Sequence, residues 1–335
     1  MSSLVFGILG AADIAKRYTA DTIKRSEYCK LKSIASRDLA RAQKLAEQFD
    51  AVAVDNYQAI IDDPEINAVY IPLPIGLHAE WAAKAMKNKK HVWCEKSIAG
   101  NLKEVESLIQ LSKDNNVLLI ENFMCQHHHQ NILIRNLLQN NEIGKIQSAQ
   151  LFFGFPPLPA DNLKYNAKLD GGALNDAGAY CLFMSMYYLQ KKPIQLWADF
   201  DYQDNQVDIN GSIHVEFEDK IHVQLNYGFN YDYKNEAHFW GSSGALSIDR
   251  CFSIPPDRKP SIKITRNTQT SLIEAPHCNH FDEQLRYFAH LVSTRNYFES
   301  LKQIHQQAVF MEAVRISNRE KRIVRLNEFS SWNLG

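Results

Sequence analysis

The sequence predicts two domains, a doubly wound α/β domain over residues 1–122 and an α+β domain with a large, mostly antiparallel open sheet over residues 123–335. Three observations predict this. The first 120 residues alternate short β-branched runs with amphipathic helical segments, as a parallel sheet covered by helices requires. From residue 146, strand-length runs follow one another with turn residues between them. The length of 335 residues also exceeds one comfortable hydrophobic core.

The elements of the first domain follow from apolar periodicity. Its predicted strands are 4–9, 29–36, 68–73, 90–95 and 117–122, and its predicted helices are 13–26, 38–49, 78–89 and 102–115. In the second domain, runs such as IQSAQLFFGF and KIHVQLNYGF alternate with period two, which is typical of strands with one buried face. Helices are predicted there at 172–190, 280–293 and 301–320.

Composition and charge exclude several classes of function. The formal net charge is −1, so nothing favours electrostatic capture of a nucleic acid or an anionic membrane. No apolar run approaches the roughly 18 residues that span a bilayer. Six scattered cysteines without a CxxC pair are typical of reduced thiols, which predicts a cytoplasmic protein.

A dinucleotide fingerprint lies where the first strand meets the first helix. GILGAADIA gives the pattern Gly10-x-Ala12-x-x-Ala15, with alanine at the second glycine position. Gly10 permits the tight turn, Ala12 lets the backbone approach a pyrophosphate, and Ala15 lets helix and strand pack closely. The pattern and the strand–helix alternation together predict a Rossmann domain that binds a dinucleotide through Gly10, Ala11, Ala12, Asp13 and Ile14.

The end of the second strand distinguishes NADP(H) from NAD(H). An acidic residue there suits the ribose hydroxyls of NAD, but this strand ends in Ser36 and Arg37. A hydroxyl and a guanidinium suit a 2′-phosphate, so we favour NADP(H) over NAD(H). In the alternative interpretation Arg37 is solvated and Asp38 only caps the next helix.

A lysine at the end of a strand is the first candidate for catalysis. Lys96 follows the strand 90–95 and should border the ligand crevice at the carboxyl edge of the parallel sheet. Asp176 and Tyr180 lie four residues apart in a predicted helix and share one face. A lysine, a carboxylate and a phenol suit proton transfer that accompanies hydride chemistry at a carbonyl or carbinol. A solvated lysine and a half-buried helix tyrosine are the alternatives.

Five motifs in order resemble those of the Gfo/Idh/MocA family of oxidoreductases. They are GILGAADIA, AVYIPLPIGLHAEWAAKAMKNKKHVWCEKSIAG, ENFMCQHHHQ, NEIGK and GGALNDAGAY. The resemblance implies a Rossmann domain and an α+β domain whose open sheet commonly forms homodimers or homotetramers. It implies that Lys96, Asp176 and Tyr180 surround the reacting carbon. It also implies further cofactor-binding residues, namely Pro72, Pro74, His78, Glu95, Lys96 and Asn122.

Three positions depart from the family's motifs. Ser97 replaces the proline of the E-K-P motif, and since non-proline cis bonds are costly, we expect a different loop geometry there. Ile75 stands where the family often has asparagine, and Gln126 replaces a common arginine. His128 matches the family histidine and is expected in the substrate pocket. Residues 127–129 are all histidine, but on a strand at most two would converge and no further ligands complete a set, so we expect no metal.

Two further segments most resemble nucleotide-sugar C-3 ketoreductases within the family. They are residues 152–174 and 235–260. The resemblance implies NADPH-dependent reduction of a keto group on a nucleotide-linked deoxysugar, with Tyr165 and Tyr233 in the substrate-binding region. A rigid surface turn is the alternative for the proline-rich loop near Tyr165.

Two other functions remain open from the sequence. One is a dehydrogenase of free aldoses or trans-dihydrodiols, which would use the same lysine, aspartate and tyrosine. The other is a non-catalytic dinucleotide-binding regulator that has kept the fold and lost the chemistry.

Overall fold

The computed structural model describes residues 4–204 and 206–330. They form two compact units. The first comprises the chain up to Asn122 together with Phe281–His305, and the second comprises Phe123–His280 and the residues from Gln306 onward. The two units divide after residue 122, where the sequence predicted a domain boundary. The sequence had placed 281–305 in the second domain, whereas in the structure these residues belong to the first unit. The last five residues of that predicted domain, 331–335, lie outside the described residues.

The first unit contains a six-stranded parallel sheet. Its strands are β1 Leu4–Leu9, β2 Cys29–Ala35, β3 Val52–Val54, β4 Ala68–Ile71, β5 His91–Glu95 and β6 Leu119–Asn122. Their order is β3-β2-β1-β4-β5-β6, and every neighbouring pair is parallel. The order reverses between β1 and β4, which is where ligands bind in sheets of this type.

Five α-helices connect these strands. They are α1 Ala20–Arg25, which continues a π-helical turn at Ala15–Thr19, α2 Leu39–Phe49, α3 Tyr57–Asp62, α4 His78–Lys87 and α5 Leu102–Asn115. Side chains of Asp38 and Asn101 accept backbone N–H groups at the starts of α2 and α5, which fixes where these helices begin. β3 and α3 were not predicted, because a three-residue strand and a six-residue helix are too short to show a period.

The second unit contains a nine-stranded sheet. Its strands are β7 Ile146–Gly154, β8 Pro193–Asp201, β9 Asn210–Phe217, β10 Ile221–Gly228, β11 Lys234–Gly241, β12 Ala245–Asp249, β13 Ser261–Arg266, β14 Gln269–Glu274 and β15 Val324–Arg325. Their order is β14-β13-β12-β11-β7-β10-β9-β8-β15. β7 and β10 run parallel, and the other neighbouring pairs are antiparallel. The prediction of a mostly antiparallel sheet is confirmed.

Four longer helices complete the chain. They are α6 His129–Gln139, α7 Ala179–Leu189, α8 His280–Thr294 and α9 Phe298–Glu320. α7 packs on β7 and β10, and the buried residues of those strands alternate with exposed ones. The opposite face of the sheet remains exposed, with Trp197 at 42% and Trp240 at 69% exposure. The sheet is therefore open on one face, as predicted. Within residues 4–204 and 206–330, no helix is both long and apolar enough to cross a bilayer.

Residues 127–129 are not on a strand, contrary to the sequence interpretation. A 3-10 turn covers Met124–His127, and His129 is the first residue of α6. The polar start of α6 conceals its helical period, and the ring of His128 explains where the helix begins. Its Nδ1 accepts the backbone N–H of Gln130 at 3.1 Å.

Residues 281–305 complete the core of the first unit. Leu285, Phe288 and Leu291 of α8 are buried in one cluster with Phe6 and Trp93 of the parallel sheet. The rings of Phe6 and Phe288 have centroids 5.4 Å apart. These contacts explain why α8 belongs with the Rossmann sheet although it follows the second domain in sequence.

Candidate active site

The turn after β1 has the geometry that the dinucleotide fingerprint predicts. Gly10 has a φ of +124°, and a Cβ there would lie 2.9 Å from Leu73 Cδ2. Its N–H donates to the carbonyl of Ala35, and Ala15 is fully buried against the sheet. Since Ala11 and Ala12 are only partly buried at the start of the helix, its free N–H groups can bind a phosphate. Asp13 is exposed and Ile14 is half-buried beside them. The residues present fit a dinucleotide.

Two guanidinium groups lie at the end of β2, where the sequence predicted one. Ser36 is buried and accepts the N–H of Asp38, while Arg37 is exposed. Asp38 caps α2, as the alternative interpretation held. Arg41, in the first turn of α2, donates to the carbonyl of Ala11 at 3.3 Å. That contact puts a second cation next to the glycine turn, which suits a 2′-phosphate better than a ribose diol.

His78 lies between two loops of the first unit. Its ring is fully buried, with Nδ1 2.7 Å from the carbonyl oxygen of Ser97 and Nε2 2.6 Å from that of Leu73. Burial lowers the pKa of His78 to about 4, so the imidazole is neutral at pH 7. Both ring nitrogens face protein carbonyls. The neutral ring has one N–H and donates to one of these carbonyls, so His78 lies between the loop that contains Pro72 and Pro74 and the loop that follows Lys96 and bonds to one of them.

The ends of β5 and β6 place polar groups that are buried or partly buried near Lys96. Glu95 Oε1 accepts the hydroxyl of Tyr70 and the side-chain amide of Asn122, each at 2.6 Å. Burial raises the pKa of Glu95, and the nearby Lys96 ammonium opposes that rise. The buried Oδ1 of Asn122 has no hydrogen-bond partner among the described residues.

A second carboxyl group lies on the other side of this loop. Glu121 is 6% exposed, and its Oε1 accepts the backbone N–H of Ile98 at 2.9 Å. Burial raises the pKa of Glu121 to about 7, although the Ile98 N–H and the Lys96 ammonium both lower it. The Lys96–Ser97 peptide bond is cis even though proline is absent, so the different loop geometry expected from Ser97 does not extend to this bond.

In the second unit, Asp176 is part of an ion pair. It lies in a π-helical turn at Leu174–Gly178 that precedes α7, instead of in the regular helix that the sequence predicted. Its Oδ2 is 2.5 Å from Nζ of Lys164, which also lies 5.0 Å from the centre of the Phe155 ring. Lys164 belongs to the loop after β7, and its side chain is 43% exposed.

Glycine and a buried aspartate shape the start of that turn. Gly172 has a φ of +118°, and a Cβ there would lie 2.3 Å from Asp208 Oδ1. Asp208 Oδ2 accepts the N–H of Leu174 at 2.6 Å, and the Asp208 carbonyl accepts the N–H of Ala173. Burial raises the pKa of Asp208 to about 6. Gly172 is thus explained by close packing against a helix-capping carboxyl group, whereas Gly171 packs against the backbone of Lys164, whose carbonyl oxygen would lie 2.4 Å from a Cβ there.

Tyr180 lies at the start of α7 among aromatic rings. It is 7% exposed, and its ring packs edge-on against Phe123 and Phe153 at centroid distances of 5.4 and 5.6 Å. Its hydroxyl donates to Met124 Sδ at 3.7 Å. A thioether is a weak acceptor, so a carbonyl oxygen of a ligand would be a stronger partner for this hydroxyl.

The three residues expected in substrate binding differ in their surroundings. Tyr165 accepts the N–H of Leu158 through its hydroxyl. Tyr233 is 41% exposed, and the guanidinium of Arg250 donates to its hydroxyl at 2.6 Å. His128, which caps α6, is fully buried and makes no contact with solvent. This burial lowers the pKa of His128 to about 4.

Sequence reasoning missed Arg41, Glu121 and Lys164. Arg41 could have been found, because it lies in the first turn of the helix that follows Arg37, at the same end of the sheet. Glu121 precedes the predicted Asn122 in a buried strand, where a carboxyl group is unusual. Lys164 gave no signal, since its partner is 12 positions away across an irregular loop.

Comparisons with known proteins agree with this geometry. Residues 4–123 match the profile described as "Oxidoreductase family, NAD-binding Rossmann fold", and residues 132–247 match "GFO/IDH/MocA C-terminal domain". A dTDP-3,4-didehydro-2,6-dideoxy-alpha-D-glucose 3-reductase of Saccharopolyspora spinosa is 35% identical over 81% of this chain and 82% of its own. A protein of the same name from Actinomadura kijaniata is 31% identical over 94% and 95% of the two chains.

A solved structure is similar over almost the whole chain. KijD10, a 3-ketoreductase from Actinomadura kijaniata in complex with NADP and TDP-benzene, has a TM-score of 0.90 at 30% identity, covering 94% of this chain and 98% of its own. Solved variants of KijD10 replace a lysine by alanine and a tyrosine by phenylalanine. Those two residues are separated by the same number of positions as Lys96 and Tyr180. The chain belongs to the Gfo/Idh/MocA family of oxidoreductases.

Proposed function

We propose that this protein is an NADP(H)-dependent ketoreductase that acts on a nucleotide-linked deoxysugar. One observation carries the proposal. Lys96 and Tyr180 are separated by the same number of positions as the lysine and the tyrosine that were substituted in the solved variants of KijD10. The relatives named above act on dTDP-linked sugars and support the substrate class. Ser36, Arg37 and Arg41 would hold the 2′-phosphate of the cofactor, whereas Gly10, Ala11, Ala12, Asp13 and Ile14 would border its pyrophosphate.

The proposed proton chemistry uses Lys96, Asp176 and Tyr180. When bound, the reduced nicotinamide supplies a hydride to the carbonyl carbon. Tyr180 Oη donates its proton to the carbonyl oxygen, and in the reverse direction it accepts that proton. The Lys96 ammonium stabilises negative charge that develops during this transfer. Asp176, held by Lys164, accepts a hydrogen bond from a sugar hydroxyl and orients the ring.

Cationic and aromatic side chains of the second unit support a nucleotide-linked substrate. The guanidinium of Arg250 lies 4.4 Å from the centre of the Tyr233 ring. An arginine placed in this way can bind a diphosphate while the tyrosine provides a flat apolar surface. Tyr165 packs edge-on against Phe229, at a centroid distance of 5.8 Å, and offers a second aromatic surface of the same unit.

An assay of the purified protein with a panel of substrates tests the proposal. We expect oxidation of NADPH, followed by its absorbance, with a dTDP-linked 3-ketosugar and with kcat/KM at least about 10²-fold higher than for free sugars. Reduction of NADP⁺ by free aldoses or trans-dihydrodiols alone would favour a dehydrogenase of those substrates. Tight binding of NADPH without turnover on any member of the panel would favour a regulator.

We also propose that two copies associate through the open face of the nine-stranded sheet. The exposed Trp197 and Trp240 lie on this face, and large exposed aromatic residues are enriched in interfaces. The six cysteines are all buried thiols, which supports a reducing compartment such as the cytoplasm. Trp240→Glu should convert the assembly seen by light scattering into a monomer. An unchanged mass would contradict this interface.

A further inference from the structure

The strand β6 holds the loop after β5 from both faces of the sheet. Glu95 pairs with Asn122 and Cys94 with Glu121 in the parallel register. Successive side chains on a strand point to opposite faces. Accordingly, Asn122 binds the Glu95 side chain, whereas Glu121 binds the N–H of Ile98, two residues after Lys96. Lys96 thus lies within a backbone segment that is fixed on both sides.

The hydrogen bond of Glu121 is buried, so its loss would lower the stability of the folded protein. Its carboxyl group accepts a backbone N–H that no solvent molecule could easily replace, since Glu121 is 6% and Ile98 is 2% exposed. A buried carboxylate is also costly without an opposite charge. The ionisable groups near it are the Lys96 ammonium, which favours its ionised form, and the thiol of Cys94, which burial keeps neutral by raising its pKa. Charge and geometry therefore connect Glu121 to the same lysine.

We propose that Glu121 is a positioning residue for Lys96. Its carboxylate fixes the Ser97–Ile98 backbone and attracts the ammonium group, so that Lys96 is held in place before a substrate arrives. The inference rests on the proposed function for Lys96 but concerns a contact within the first unit alone. Protonation of Glu121 weakens the attraction, and because burial brings the pKa of Glu121 to about 7, this release falls within the physiological range.

The titration of Glu121 can be measured without any substrate. In the full-length protein labelled with 13C at glutamate carboxyl groups, the Glu121 resonance is assigned by its loss in Glu121→Gln. We expect its midpoint near pH 7 in the wild type and at higher pH in Lys96→Met, which lacks the opposing charge. A midpoint that does not move in Lys96→Met would overturn the proposal, even if no sugar is ever found to be a substrate.

Kinetics of the same variants test the positioning role. In single turnovers with NADPH and a ketosugar, the wild-type rate should rise with pH through about 7, as Glu121 ionises. Glu121→Gln keeps an acceptor for Ile98 but loses the charge, so its rate should be about tenfold lower and should lack this rise. Glu121→Ala loses both and should be about 10²-fold slower, with the Kd for NADPH changed less than about threefold.

Glu104, in the first turn of α5, supplies a matched control for the same loop. It accepts the N–H of Gly100 at 3.2 Å, but on the exposed surface. Glu104→Gln should therefore retain the wild-type rate and its pH dependence. If Glu121→Gln retains both as well, Glu121 has only a structural role. An equal loss of rate and of NADPH binding in Glu121→Gln would also contradict positioning, because it would indicate general damage to the domain.

Discussion

Lys96 in the first unit and Asp176 in the second have opposite kinds of surroundings. Lys96 is a cation next to two carboxyl groups, the partly buried Glu95 and the buried Glu121, which are fixed by strand pairing. Asp176 is an anion next to one lysine, Lys164, which is 43% exposed on a loop. A buried charge that loses its partner costs several kcal/mol, whereas an exposed pair contributes about 0–1 kcal/mol. The surroundings of Lys96 are therefore built into the fold, and those of Asp176 can change with the loop.

The largest effect is expected when the cation of the first unit, Lys96, is removed. Lys96→Met should lower kcat by about 10²-fold or more, because charge that develops in the reaction loses its counter-charge. The Kd for NADPH, measured by fluorescence titration, should change little. Wild-type turnover in this variant would disprove the catalytic assignment of Lys96.

Tyr180→Phe should have the next largest effect. It removes the proposed proton donor and should lower kcat by about 10²-fold, with KM for the sugar nearly unchanged. Tyr188→Phe is the matched control, because Tyr188 lies on the same helix as Tyr180 and also has a buried hydroxyl. That hydroxyl donates to Asn131 Oδ1 at 2.7 Å. That variant should lose about 1 kcal/mol of stability in denaturant and keep its kcat. Equal kinetic losses in the two variants would show that Tyr180 acts only through packing.

Substitution of the two arginines at the end of β2 should act on cofactor choice alone. Arg37→Ala and Arg41→Ala should each raise KM for NADPH by about 10-fold or more, the value of a charge-assisted hydrogen bond, and leave KM for NADH unchanged. Lys44→Ala, on the exposed side of α2, serves as the control for lost positive charge. Similar KM changes for both cofactors would contradict a 2′-phosphate site.

A smaller effect is expected when the exposed partner of Asp176 is removed. Lys164→Met keeps the contact with the Phe155 ring but loses the ion pair, and should lower kcat/KM by about tenfold while the melting temperature changes little. Lys168→Met alters an exposed lysine of the same loop and should have no effect. If Lys164→Met unfolds the protein at room temperature, the contrast between the two regions is wrong.

The smallest effect on turnover, but a measurable effect on stability, concerns Asp208. Its folded-state pKa of about 6 exceeds the value of about 3.9 in an unfolded chain, so the folded protein binds more protons between these values. Stability from this group therefore falls as pH rises from about 4 to about 6. Asp208→Asn should become more stable relative to wild type over that window, by about 2–3 kcal/mol in urea unfolding. The exposed Asp257→Asn should show no such trend.

Local pattern was sufficient for most of the fold. β1 at Leu4–Leu9 and α5 at Leu102–Asn115 have the bounds that periodicity predicts, because each buries a regular set of apolar residues. α6 was not recognised, since its first residues are polar and its start depends on the His128 cap. The placement of 281–305 could not be predicted either, because it depends on contacts such as that of Phe6 with Phe288, which are 282 positions apart.

Only those residues of the candidate site that lie in short sequence motifs could be predicted. Lys96, Asp176, Tyr180 and the Gly10 turn were identified from short patterns. Lys164 and Glu121 were not, since their contacts with Asp176 and with the Ile98 N–H are tertiary and leave no spacing in the sequence. The roles predicted for His128, Tyr165 and Tyr233 in substrate binding stay predictions.

The return of residues 281–305 to the first unit has a consequence for biosynthesis. Phe6 and Trp93 are translated early, but the side chains that cover them, Leu285, Phe288 and Leu291, emerge only after eight of the nine strands of the second sheet. During synthesis the N-terminal part of the first unit therefore exposes an apolar surface until residues 281–305 have emerged. Such a surface is bound by chaperones. A protein truncated at residue 280 should accordingly aggregate, and exchange of whole domains between relatives requires two segments of chain instead of one.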